Sequence, residues 1–203
     1  MSSSSEFSSV HLEHAVPNVA GDFDIACSPG TDIWDKAPAT HQFNAPIIYR
    51  TTTKDAFISA TVAVSADWKD RYDQGGLCFV IRAADRTRWI KIGIELDFGV
   101  PNAGVVVKDN FADWSLRPLP YGSTNSIAVQ ARIQEDGDLW VYALGPNDER
   151  IAMRQITWWD ALPGNTEIWV GPYAAKPAYE GGKEPLKVHF NRLSVDTRSD
   201  VAQ

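Results

Sequence analysis

The segment 88–96 alternates apolar and polar side chains so regularly that it fits a β-strand. Successive side chains of a strand point to opposite faces of a sheet. Those on one face are all aliphatic: Ile90, Ile92, Ile94 and Leu96. Those on the other are an aromatic ring, a cation, a glycine and an anion: Trp89, Lys91, Gly93 and Glu95. Charged groups are costly to bury, so we expect the second face to be solvated or to bind a ligand.

Comparable short patterns separated by turn residues follow along most of the chain. Asp136-Gly137 is typical of a tight hairpin turn, because glycine adopts the required positive φ. We expect residues 7–40 to be mostly connection, because Pro and Gly interrupt any period. A loop is expected after residue 108, and a helical turn is considered at 160–165. The predicted strands are 23–26, 47–49, 56–66, 77–83, 88–96, 100–108, 125–134, 139–144, 150–158, 167–173 and 186–195.

Some ten strands with few helical signals predict an all-β, antiparallel two-sheet sandwich. The length of 203 residues favours one jelly-roll domain over residues 7–196. The ends, 1–6 and 197–203, are polar and are expected to be flexible tails. A jelly roll curves one sheet, so we expect a concave groove on that sheet.

Composition excludes several classes of function. A formal net charge of -7 argues against nucleic-acid binding, which needs clustered Lys and Arg. No apolar run approaches the roughly 18 residues of a membrane span, and the N-terminus lacks the pattern of a secretory signal. We therefore expect a cytoplasmic protein. A bridge between Cys27 and Cys78 stays open, although the position of Cys78 within a strand pattern favours buried free thiols.

The polar and aromatic side chains opposite the aliphatic faces are the predicted binding site, because rings pack on C–H surfaces while polar groups orient hydroxyls. The predicted ligand-binding residues are Gln74, Trp89, Lys91, Glu95, Gln130, Arg132, Trp140 and Tyr173. For Trp89, filling the space between the sheets is an equal alternative, and for Trp158 and Trp159 it is the favoured one. Glu95 and His189 are the candidate acids or bases.

The sequence contains no recognisable cofactor motif, nucleophile elbow or paired Cys and His pattern. Four aspartates lie close together at Asp22, Asp24, Asp32 and Asp35, but their spacing differs from that of a calcium loop. We therefore predict neither a metal nor a cofactor.

Three motifs together resemble one family. They are Tyr72-Asp73-Gln74-Gly75-Gly76-Leu77, the segment Trp89 to Glu95, and Val105-Val106-Val107 followed by Asp113-Trp114-Ser115. The chain resembles, from about residue 40 to 195, the concanavalin-A-like domain of unknown function 1349, which includes the fungal regulation-of-enolase protein. That resemblance implies a jelly roll of the lectin/glucanase type and a cytosolic setting, and it assigns no catalytic residue.

A weaker similarity relates Lys91 to Glu95 to the Lys-x-Gly-x-Tyr strand of jelly-roll alginate lyases. Here Glu95 stands in place of the tyrosine and no Gln-x-His is present, so lyase chemistry of that type is not expected, although a lyase, isomerase or hydrolase of another type stays an alternative. The leading hypothesis is binding of a small glycan or metabolite in the concave groove. The alternatives are an enzyme that uses Glu95 or His189 in that groove, and a regulator that acts through a protein partner.

Overall fold

The computed structural model describes residues 6–179 and 182–201, which form mostly β-strands. The strands are β1 Ser8–Val10, β2 Phe23–Cys27, β3 Ile33–Lys36, β4 Thr40–Phe43, β5 Ile47–Thr53, β6 Phe57–Ala66, β7 Gln74–Arg82, β8 Thr87–Asp97, β9 Val100–Lys108, β10 Ala112–Pro118, β11 Ser126–Ile133, β12 Leu139–Leu144, β13 Arg150–Ile156, β14 Glu167–Ala175 and β15 Leu186–Thr197. A 3-10 turn, Pro120–Gly122, and one helical turn, α1 Arg198–Val201, complete them.

The strands form two large antiparallel sheets. The seven-stranded sheet has the order β1-β5-β14-β7-β8-β9-β10, and the six-stranded sheet has the order β13-β12-β11-β6-β15-β2. The hairpin β3-β4 forms a separate two-stranded sheet. The predicted antiparallel two-sheet sandwich is therefore confirmed. The described residues contain no helix with the length and apolarity that crossing a bilayer requires.

The main core lies between the sheets. Ile90, Ile92 and Ile94 of β8 are at most 1% exposed and share one cluster with Val62 of β6 and Val129 of β11. The alternation of β8 thus predicts its inward face correctly, because burial of apolar surface drives these side chains between the layers. The prediction of free, buried thiols is also confirmed for both cysteines.

A second apolar cluster lies on the outer face of the seven-stranded sheet. There Ile33 and Trp34 of the hairpin β3-β4 pack with Val80, Trp89 and Val106. The hairpin therefore covers this face, and Trp89 and Lys91 are only 1% and 2% exposed. The expectation that this face is open to solvent is wrong at its centre.

Two local predictions fail. The expected loop after residue 108 contains β10, whereas residues 7–40 are mostly connection as predicted, with the expected strand at β2 and the unpredicted short strands β1 and β3. The C-terminal tail predicted from 197 includes the end of β15 and α1, where Asp200 accepts hydrogen bonds from Arg50. Of the predicted N-terminal tail, residues 1–5 lie outside the described part of the chain.

Candidate functional site

The predicted binding residues separate onto the outer faces of the two sheets. Those on the seven-stranded sheet are Gln74, Trp89, Lys91, Glu95 and Tyr173. Those on the six-stranded sheet are Gln130, Arg132, Trp140 and the candidate acid or base His189. The prediction of one shared groove is therefore wrong for the latter four, because alternation shows that a side chain leaves the core but not which sheet its strand joins.

A row of glycines crosses the seven-stranded sheet beside Tyr173. Gly76, Gly93 and Gly104 are direct partners on β7, β8 and β9. Gly76 and Gly93 have φ angles of 155° and 158°, and a methyl group on Gly93 would lie 2.0 Å from the Gly75 carbonyl oxygen. Only glycine fits there.

Lys91 is fully occupied by contacts within the protein. Its Nζ donates a hydrogen bond of 2.7 Å to Gln74 Oε1 and lies 3.4 Å from Asp32 Oδ1 on the segment entering β3. The ammonium also lies 5.6–5.9 Å from the ring centroids of Trp34, Trp89 and Tyr173. Gln74 Oε1 accepts a second hydrogen bond from the Tyr173 hydroxyl at 3.2 Å. Lys91 therefore fastens the hairpin to the sheet and is not open to a ligand.

Asp35 makes the second attachment of the hairpin. Its carboxylate accepts a hydrogen bond of 3.1 Å from Trp89 Nε1 and lies 2.9 Å from Lys108 Nζ. Burial alone would raise the pKa of Asp35, but the hydrogen bonds from Lys108, His41 and Trp89 outweigh it and lower that pKa. The hairpin is thus held by an ionised carboxylate over the sheet.

Glu95 lies at the edge of this covered region and is 8% exposed. Burial raises its pKa from 4.5 to about 7, although the charge of Lys91 opposes the increase. A methyl group on Gly104 would be 3.9 Å from Glu95 Oε2, which places the carboxyl group over the glycine row. Near neutral pH, both protonation states of this group are populated.

Trp114 of β10 completes the surroundings of Glu95. Its Nε1 is buried and has no hydrogen-bond partner among the described residues. Trp114 also lowers the pKa of Glu95 through a hydrogen-bonding interaction of the indole N–H, which therefore faces the carboxyl group in a geometry weaker than that of a regular hydrogen bond. Trp34 and Tyr72 pack edge-on against Trp114, each with a centroid separation of 6.1 Å. We call these four residues, Trp34, Tyr72, Glu95 and Trp114, the Glu95 site.

The sequence prediction included Glu95 but missed the three aromatic members of the Glu95 site. The expected loop after residue 108 includes Trp114, although Ala112, Trp114 and Leu116 alternate with polar residues as in a strand. Trp34 belongs to a four-residue strand in a Pro- and Gly-rich segment, where periodicity is too short to detect.

His189 is not part of this site. It lies on β15 of the six-stranded sheet, where its Nδ1 is 3.0 Å from Asp24 Oδ1 and its Nε2 is 3.9 Å from Asp22 Oδ2. Asp32 and Asp35, by contrast, lie on or beside the hairpin. In the described part of the chain, no group of three or more His, Cys, Asp or Glu side chains is arranged to hold a metal ion.

Comparison with known families and sequences gives two matches over most of the chain. A family described as a protein of unknown function (DUF1349) matches residues 13–198. An uncharacterized protein of Emericella nidulans is 39% identical over 202 residues, covering 97% of this chain and 98% of the relative.

Solved structures share the fold at low sequence identity. A functionally unknown protein from Saccharomyces cerevisiae has a TM-score of 0.77 at 22% identity, covering 97% of this chain and 98% of that one. A GH43 protein from Bacillus licheniformis has a TM-score of 0.54 at 14% identity, covering 83% of this chain and 32% of that one. An alginate lyase from Pseudomonas aeruginosa has a TM-score of 0.52 at 8% identity, covering 86% and 82%. These likenesses identify the sandwich as a jelly roll.

Proposed function

The chain belongs to the DUF1349 family, and from the geometry of the Glu95 site we propose that it binds a small polyhydroxylated ligand, a glycan unit or a related metabolite. One observation supports this proposal above the others. Trp114 Nε1 is a buried donor that makes no regular hydrogen bond among the described residues, and it faces the Glu95 carboxyl group, whose pKa it lowers. Buried polar groups are normally paired, so a poorly used donor beside a carboxyl group favours a missing partner.

A hydroxyl group suits this pair because it both donates and accepts hydrogen bonds. It can donate to the ionised Glu95 carboxylate while it accepts from Trp114 Nε1. The rings of Trp34 and Tyr72, which are half-buried, supply apolar faces for the C–H surface of a sugar. The ligand would thus be oriented by two polar contacts and packed by rings.

Two nearly isosteric substitutions test this proposal. Trp114→Phe removes the indole N–H, and Glu95→Gln removes the ionisable carboxyl group. A panel of neutral mono- and oligosaccharides would be screened by saturation-transfer NMR, and hits measured by calorimetry. We expect Glu95→Gln to weaken binding about tenfold or more, since it removes a hydrogen bond to a charged group, and Trp114→Phe to weaken it about fivefold, since it removes a neutral one.

Trp169→Phe is the matched control, because Trp169 is a tryptophan on the outer face of the same sheet, distant from Glu95 along β14, with its Nε1 already donating to Glu167. It should leave the affinity of a Glu95-site ligand unchanged. A panel without any hit, or a hit whose affinity survives both Trp114→Phe and Glu95→Gln, would refute the proposed site.

General acid or base catalysis by Glu95 is a second candidate, favoured by the pKa of about 7. Proton-transfer groups work best when their pKa lies near the operating pH. If Glu95 acts as a base, turnover of a bound ligand should rise with pH up to about 7, and if it acts as an acid, turnover should fall above that value. Unchanged turnover in Glu95→Gln would exclude both roles.

A further inference from the structure

Two adjoining cavities lie on the outer face of the six-stranded sheet, away from the Glu95 site. One, of about 270 Å³, is lined by residues that include Gln130, Arg150 and Arg192. The other, of about 320 Å³, shares Leu144 and Arg192 with the first. Because both cavities are lined by these two side chains, they lie next to each other, and we call the surface that they form together the Arg192 groove.

Arg192 is directed into this groove by an irregularity of β15. The register of β15 against β6 shifts between Asn191 and Ser194, and Arg192 has a φ of 56°. A bulge re-aims the side chain at its site, and the left-handed conformation is unfavourable for arginine. Arg192 donates a hydrogen bond of 2.6 Å to Asp148 Oδ1, but both side chains are about half-exposed or more. An ion pair in that setting contributes little, so it does not account for the strain.

Arg150 brings a second guanidinium to the same groove. Its Nε donates a hydrogen bond of 2.8 Å to Gln130 Oε1, while Gln130 Nε2 donates to Thr61 Oγ1 at 3.1 Å. The guanidinium also lies 6.0 Å from the ring centroid of Tyr142. These contacts hold Arg150 in place and leave its terminal amino groups for a ligand. Against the single carboxylate of Asp148, the two arginines make the groove locally positive in a chain of net charge -7.

An aromatic pair extends from the groove along the same sheet face. Trp140 and Tyr142 stack with an interplanar angle of 21° and a centroid separation of 6.3 Å. Arg132, the register partner of Trp140, has a buried Nε without a partner among the described residues. The surface thus combines guanidinium, amide and hydroxyl groups with a ring platform. A simple phosphate would use only the guanidinium groups, whereas a sugar chain would also use the amide and hydroxyl groups and the ring platform.

We propose that the Arg192 groove binds an acidic oligosaccharide, with a sugar carboxylate held by Arg150 and Arg192 and a neighbouring unit packed on Trp140. This surface is separate from the Glu95 site, since the two lie on opposite outer faces of the sandwich. The chain would then have two binding surfaces of different polarity.

Calorimetry with the full chain tests the inference, with tetragalacturonate as the acidic probe and cellotetraose as the uncharged one. We expect tetragalacturonate to bind, to weaken as salt is raised, and to lose at least tenfold in affinity in the double variant Arg150→Gln, Arg192→Gln. Arg82→Ala, an exposed arginine on the seven-stranded sheet, should retain the affinity of the unmodified chain. Circular dichroism of each variant confirms folding, and Arg192→Lys, which retains the charge, should lose less than the double variant.

Three results would overturn the inference. They are the absence of tetragalacturonate binding at millimolar concentration, equal affinity for cellotetraose, and an affinity that the double arginine variant does not change.

Discussion

The outer faces of the two sheets both hold charged and aromatic side chains, yet their surroundings are opposite. On the seven-stranded sheet a hairpin covers Lys91, which is 2% exposed, and burial raises the pKa of Glu95 to about 7. On the six-stranded sheet Lys187 stays exposed, and its ion pair with Asp24 is open to water. For Asp24, burial would raise the pKa, but hydrogen bonds from Lys187 and His189 lower it overall. Similar alternating sequences therefore become a buried polar layer on one side and a solvated surface on the other.

The sharpest test of this difference removes one lysine from each face. Lys91→Ala takes away a buried cation together with its contacts to Asp32 and Gln74, so we expect the free energy of unfolding to fall by about 4 kcal/mol. Lys187→Ala removes an exposed cation that pairs with Asp24 at 2.8 Å and should cost less than about 0.5 kcal/mol. Urea unfolding at constant m-value measures both. Equal losses would mean that the hairpin does not exclude water from Lys91.

The contrast between these two lysines also shows how far the sequence leads. The alternation in β8 correctly predicts which side chains leave the core, because a strand has a strict period of two. It contains no information about what covers the outward side chains, since Asp32 and Asp35 reach Lys91 and Lys108 across more than fifty residues of chain. The covering strands β3 and β4 have only four residues each, too few for a period to be recognised.

The assignment of Gln130, Arg132 and Trp140 to the same site as Lys91 fails for a related reason. Their parity on β11 and β12 correctly excludes them from the core. The partner of each strand, however, depends on long-range pairing, and β11 joins β6 and β12 while β7 joins β8 and β14. Glu95 was identified because its own strand is long and regular. Trp114 was missed because its contribution depends on β10 pairing with β9.

The pH dependence of stability should also differ between the two faces. Glu95 has a higher pKa in the folded chain than its ordinary value of 4.5, so the folded state binds more protons between pH 4.5 and 7. Its contribution to stability is therefore lost as the pH rises through this window, by up to about 3 kcal/mol. Glu95→Gln should abolish that slope in urea unfolding measured from pH 4.5 to 8. A Glu95→Gln variant that keeps the slope of the unmodified chain between pH 4.5 and 7 would contradict the burial of Glu95.

Asp24 on the six-stranded sheet should show the opposite sign. Its folded pKa is lowered, so its stabilising effect is present above the unfolded value of 3.8 and is lost as the pH falls through the folded value. The effect should be small, because the pair with Lys187 is exposed to solvent.

The smallest expected effect on the covered face concerns the attachment of the hairpin itself. Asp35→Asn retains an oxygen that can accept from Trp89 Nε1 but removes the charge opposite Lys108. We expect local opening of β3 and β4 to become easier by about 1.4 kcal/mol, because a partly buried charged hydrogen bond is replaced by a neutral one. Hydrogen exchange at the amides of Ile33–Lys36 and Thr40–Phe43 should then be about tenfold faster while β8 stays protected. Asp24→Asn is the matched control, since its partner Lys187 is exposed and none of the described segments covers it, and its strand β2 should keep its protection. Faster exchange throughout β8 as well would show that the hairpin and the sheet open as one unit, and the covered and open faces would then differ in exposure but not in local stability.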